Sequence, residues 1–118
     1  MATIAPKALA RKIIRLVKKK KAENVVLLDL RKLSSVTDYF VLCSVGSDIQ
    51  ARVVADSVKE GVPGTETISH VEGYETGRWI LMDCYGVILH IFRPEVREFY
   101  GLERLWGDAP REEYPDEA

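Results

Sequence analysis

Cysteine and histidine are scarce in this chain, and long apolar runs are missing. Its 118 residues hold two of each, and Cys43 and Cys84 lie singly inside apolar stretches rather than as a short-spaced pair. A disulfide scaffold is excluded, and the spacing of a zinc site or redox pair is absent, so both thiols are expected in the core. His70 and His90 are too few for a metal site without cysteine or carboxylate ligands at suitable spacing, and nothing like H-E-x-x-H appears. No metal or cofactor is expected, and His90, set in an apolar strand, reads as a core or interface histidine. No stretch approaches the roughly 20 apolar residues of a membrane-spanning helix, and no signal-peptide pattern is present. The expected setting is soluble and cytoplasmic, with no membrane partner.

What is present fits one compact domain: 47% of the side chains are hydrophobic and 30% charged, at a length that needs no covalent staple. The net charge of −1 hides an uneven layout, because residues 1–21 carry eight Lys or Arg and no acid, while the remainder carries nine bases against eighteen acids. An acidic body suits a basic protein partner through complementary potential. The basic segment is amphipathic and reads as the first helix of the domain, the alternative being a mitochondrial transit peptide.

Pro6 suits a first helical turn, and Leu9, Ile13, Leu16 and Val17 recur on one stripe opposite Lys7, Arg11, Arg15 and Lys18. The run Lys18 to Lys21 closes that helix where its dipole is negative. Val25–Leu30 and Tyr39–Val45 are β-branched apolar runs and predict two interior strands. Ser47-Asp48-Ile49-Gln50 is a capping box opening a helix that turns Ala51, Val54, Ala55 and Val58 to the sheet, until Gly61, Pro63 and Gly64 stop it and residues 61–67 form a loop. Strands at Thr67–Val71, Arg78–Asp83 and Val87–Phe92 then form a meander, with Tyr85-Gly86 as its second turn. A last helix opens at Pro94 and carries Val96, Phe99, Tyr100, Leu102 and Trp106, the three aromatics being expected in the core. Acid-rich residues 108–118 read as a disordered tail to a domain spanning 1–107.

The order α-β-β-α-β-β-β-α implies an α/β domain with a mixed five-stranded sheet and about three helices. Both faces of the central strands are apolar, so three helices either cover both or leave an apolar patch that wants a partner.

Catalytic signals are weak. Ser44 and Ser47 lack a nucleophile-elbow context. Gly46-Ser47 at a helix start loosely resembles the turn of nucleotidyltransferases, yet those enzymes hold magnesium with paired carboxylates, and here Asp29, Asp48 and Asp83 are scattered. A residual nucleotidyltransferase is therefore one alternative function, and an RNA-binding module led by the basic first helix is another.

Several blocks are distinctive: Asp38-Tyr39-Phe40-Val41, Glu72-Gly73, Trp79-Ile80-Leu81-Met82-Asp83, His90-Ile91-Phe92, and the ending Arg97-Glu98-Phe99-Tyr100-Gly101-Leu102-Glu103-Arg104-Leu105-Trp106-Gly107-Asp108-Ala109. From about Leu9 to Ala109 they resemble the Iojap, or ribosomal silencing factor, family. Val45-Gly46-Ser47 and Cys84-Tyr85-Gly86 depart from its usual turns. The resemblance implies a nucleotidyltransferase-like fold without the catalytic carboxylates and a non-enzymatic role. It also implies binding to ribosomal protein fourteen of the large subunit, obstruction of small-subunit joining when nutrients are short, and a homodimer when free. Direct sequence-specific contact with nucleic acid is not expected. Trp79 is the expected anchor, since tryptophan dominates interface hot spots, with Tyr85 beside it and Asp38, Asp83, Glu103 and Asp108 meeting basic side chains of the partner.

Overall fold

The computed structural model describes residues 5–62, 64 and 67–116. Pro63, named above in the helix stop, lies outside them, as do residues 1–4, 65, 66, 117 and 118. In chain order come α1 (Pro6–Lys19), β1 (Glu23–Asp29), β2 (Tyr39–Ser44), α2 (Asp48–Gly61), β3 (His70–Glu72), β4 (Trp79–Cys84), β5 (Val87–Phe92), α3 (Pro94–Tyr100), α4 (Leu102–Leu105) and β6 (Arg111–Tyr114). The α/β architecture is the expected one, but among the described residues the mixed sheet has six strands rather than five, in the order β3-β4-β5-β2-β1-β6. Among the described strands only β2 and β5 run parallel. The meander of β3, β4 and β5 is antiparallel, as read from the sequence.

The extra strand corrects the expectation of a disordered tail. Arg111–Tyr114 pairs antiparallel with Val25–Leu28 on the outer edge of β1, and the Asp29 N–H donates to the Pro110 carbonyl. Charge finishes the anchoring: Lys7 Nζ meets Glu112 at 3.0 Å, Lys18 Nζ donates to the Pro115 carbonyl, and Asp116 accepts from the Asn24 N–H. The acidic tail and basic helix, read separately in the sequence, thus lie against each other. The domain does not end at residue 107.

Alternation along the strands divides the core in two. Val25, Leu27, Val41, Cys43, Ile80, Met82, Cys84, Leu89 and Ile91 face α1 and α2, whose Leu9, Ile13, Val17, Val54, Ala55 and Val58 fill the larger cluster. Both cysteines are fully buried there, as expected, and burial pushes each thiol up to about 12. Val26, Leu28, Leu42 and Phe92 point the other way, into a smaller cluster with Leu30, Val96 and Ala109.

Local chemistry sets the element ends. Ser47 Oγ accepts from the Gln50 N–H at 3.0 Å, as a capping box requires, but the Gln50 side chain reaches back one residue further, taking the Gly46 N–H at 2.8 Å. Its amide also donates to the Lys20 and Lys21 carbonyls, tying the start of α2 to the end of α1. The single last helix expected from the sequence breaks at Gly101, whose φ of 58° stops α3 before α4 begins.

Candidate functional site

That break decides what the second face of the sheet looks like. α3 and α4 are seven and four residues long, and they leave Phe40, Trp79, Leu81 and Ile88 only half-buried on neighbouring strands. The strand register places them together: Leu81 lies opposite His90, and Ile88 lies between Phe40 and Asp83. Phe99 and Tyr100, expected in the core, are instead 78% and 57% exposed, because α3 ends before it can turn them under. Of the three aromatics assigned to the core, Trp106 packs half-buried against the smaller cluster. Half-buried apolar side chains thus gather on this face of the sheet, with Phe99 and Tyr100 exposed beside them.

Trp79 is the hub of this face. Its ring stands 4.9 Å from that of Tyr100 and 5.3 Å from that of Phe92, and its indole Nε1 donates to His90 Nδ1 at 3.1 Å. Since Nδ1 accepts, the neutral His90 ring carries its proton on Nε2, which is buried and has no partner among the described residues. The ring sits 4.5 Å from Phe40, and burial away from water pushes its pKa down to about 4. His90 is therefore an uncharged donor inside an aromatic cluster. The expectation of a core or interface histidine holds for its burial.

The acids gather on the side of the face away from Trp79. Asp83 is directly opposite His70 on β3 and Ile88 on β5. Asp38 stands at the start of β2, where its N–H donates to the Gly86 carbonyl, so the β4–β5 turn and its exposed Tyr85 adjoin it. Of the six residues singled out from the sequence, Trp79 and Asp83 are thus brought to this face, and Tyr85 and Asp38 to the β4–β5 turn at the end of the sheet. The other two lie elsewhere. Glu103 is held by Arg97 at 2.8 Å and Arg111 at 2.8 Å. The Arg97 hydrogen bond, aided by Arg111, keeps its carboxylate below the usual range. Arg97 also donates to the Asn24 carbonyl and to Ser44 Oγ; the group joins α3, α4, β1, β2 and β6 and has a structural task. Asp108 is exposed in the turn between α4 and β6. Phe40, Leu81, Ile88 and His90 were not singled out as partner-binding residues, although the period-two alternation that pairs them with Trp79 was visible.

The chemistry of the alternative functions can be located as well. At the start of α2 the Gly46 N–H is taken by the Gln50 side chain, the Gln50 N–H by Ser47 Oγ, and Asp48 is paired with Arg52 at 3.3 Å. Asp29 is closed by Arg31 at 2.7 Å. Among the described residues no group of three His, Cys, Asp or Glu side chains is placed to hold a metal ion, and no helix is long and apolar enough to cross a membrane.

The fold is a single α/β domain whose second face carries half-buried aromatic and aliphatic side chains, with no metal-holding cluster among the described residues. The family model described as "Ribosomal silencing factor during starvation" matches residues 3–118. A ribosomal silencing factor from Halalkalibacterium halodurans is 42% identical over 93 residues, covering 77% of this chain and 79% of that protein. One from Bacillus subtilis is 38% identical over 92 residues, covering 77% and 78%. A crystal structure of a Chromobacterium violaceum protein superposes with a TM-score of 0.84 at 28% identity, covering 88% of both chains. The chain belongs to the ribosomal silencing factor family, whose named members are regulators of the ribosome.

Proposed function

We propose that this protein binds the large ribosomal subunit through ribosomal protein fourteen and, by its bulk alone, keeps the small subunit from joining. Translation is thereby lowered when nutrients are short. The observation that carries the proposal is the uncovered second face: Trp79, Phe40, Leu81 and Ile88 form an apolar centre, and Asp38, Asp83 and Glu72 provide an acidic rim. A basic ribosomal protein complements both parts, the centre supplying affinity and the rim steering encounter. The site of action is the cytoplasm, no covalent chemistry is involved, and in the free protein the same apolar centre supports a homodimer.

The test is co-sedimentation with purified large subunits. Trp79→Ala should weaken binding by about 2 kcal/mol, roughly thirtyfold, and Tyr100→Ala by less, since its ring is an exposed flank of the hub. Each variant must still melt cooperatively, because Trp79 also serves His90. Unchanged pelleting of both variants would remove this face from the interface.

A further inference from the structure

The basic segment lies on the opposite side of the sheet from Trp79. α1 spends its apolar stripe entirely in the larger core, with Leu9, Ala10, Ile13, Ile14 and Val17 between 0% and 3% exposed. Its other side, with Lys21 beyond it, borders a groove of about 760 Å³ lined by Arg11, Arg15, Lys18, Lys19 and Lys21. Lys18 is held by the Pro115 carbonyl. The other four are exposed and make no salt bridge with any described residue. Arg11, Arg15 and Lys19 follow one another at four-residue intervals, about 6 Å apart along the helix axis, a step comparable to that between successive phosphates of a nucleic-acid strand. Glu23 and Asp116 are the acids in the groove wall, and Asp116 is occupied by the Asn24 N–H. Tyr114 supplies an aromatic surface within the groove.

Lys21 itself stands in an unusual place. It occupies the left-handed position that ends α1, with φ 68°; its N–H bonds the Lys18 carbonyl and the Ala22 N–H bonds that of Val17. Glycine is the usual residue there because a Cβ is strained. The backbone carries a lysine at a position where glycine would fit better, and that lysine faces the groove.

We propose that this groove binds the phosphate backbone of RNA, as a second attachment point independent of the aromatic face. A membrane surface is the competing polyanion, but insertion requires an apolar helix face, and that of α1 is already inside the protein. Contacts from Arg11, Arg15, Lys19 and Lys21 neutralise about four phosphates and give a steep, sequence-independent salt dependence.

The experiment is fluorescence anisotropy of the full chain with a labelled RNA hairpin. Saturable binding is expected at 50 mM salt, weakening roughly fifty- to hundred-and-fifty-fold at 200 mM. Arg11→Glu combined with Arg15→Glu should abolish it. Lys21→Gly should melt at a higher temperature yet bind RNA several-fold more weakly, with a salt slope shallower by about one. That opposition separates a charge effect from damaged folding. Trp79→Ala should bind RNA like the parent, so failure of the groove and failure of the docking face register independently. Absence of saturable RNA binding at 50 mM, parental binding by Lys21→Gly, or tighter binding to phosphatidylserine–phosphatidylcholine vesicles than to RNA would overturn the proposal.

Discussion

Acidification should destabilise this domain through His90 before its carboxylates titrate. The ring lies among Phe40, Trp79 and Phe92, with Leu42 and Leu81 opposite it on the flanking strands, and none of these can neutralise an imidazolium. A proton on Nδ1 would also sever the bond from the Trp79 indole. Burial lowers the folded pKa from 6.5 to about 4. Below pH 6.5 the unfolded chain therefore takes up a proton that the folded chain refuses, and stability, complete above that pH, falls as the pH drops towards 4. The difference corresponds to about 3 kcal/mol, a substantial share of the roughly 5–15 kcal/mol that holds a domain together. Denaturant titrations at intervals between pH 7.5 and 4 measure it, against His90→Gln, whose carbonyl can still accept from Trp79 but which does not titrate. Glu103, Asp29 and the other carboxylates titrate in both proteins and cancel in the difference. The gap between the two stability curves should close by about 3 kcal/mol across that range. Parallel curves would show that His90 is already protonated, or already hydrated, in the folded state.

Three further outcomes follow from local geometry. Gly73→Ala should cost about 2–3 kcal/mol in thermal or denaturant melts, because the residue has φ 79° and an added Cβ would meet the Trp79 carbonyl oxygen at 2.0 Å; a melt within 1 kcal/mol of the parent would mean the turn can shift freely. Ser47→Ala should cost about 1 kcal/mol through loss of the α2 cap, and no change in the melt would show that Gln50 alone secures that terminus. Cys43 and Cys84 should resist alkylation at pH 8 until the protein unfolds, both being fully buried with thiols pushed up to about 12; rapid labelling of folded protein would reveal an opening that exposes the larger core.

The elements legible in the sequence were those whose signal is local. The stripe of α1, the Ser47 cap, the apolar run of β2 and the alternation of β4 and β5 each depend on neighbours within a few residues, and they appear in the structure nearly where the sequence pattern put them. β6 was invisible because Arg111–Tyr114 has no apolar pattern of its own; its order comes from the open edge of β1 and from Lys7 and Lys18 across the fold. At the candidate site, Trp79 was legible as a residue type, whereas the exposure of Phe99 and Tyr100 depended on where α3 would end. Gly101 carried that information, although a glycine inside a helical pattern does not by itself announce a break. The ion pairs of Glu103 were hidden for another reason: no periodicity shows that Arg97 and Arg111 meet it in the fold.

Joining of the ribosomal subunits tests the steric proposal most directly. Purified small and large subunits are mixed with increasing amounts of this protein, without nucleotide, and resolved on sucrose gradients. Joined ribosomes should diminish in proportion to the large subunits that carry the protein, and Trp79→Ala should require roughly thirtyfold more protein for the same loss. Large subunits that are saturated with the protein yet join small subunits normally would rule out obstruction as its mode of action.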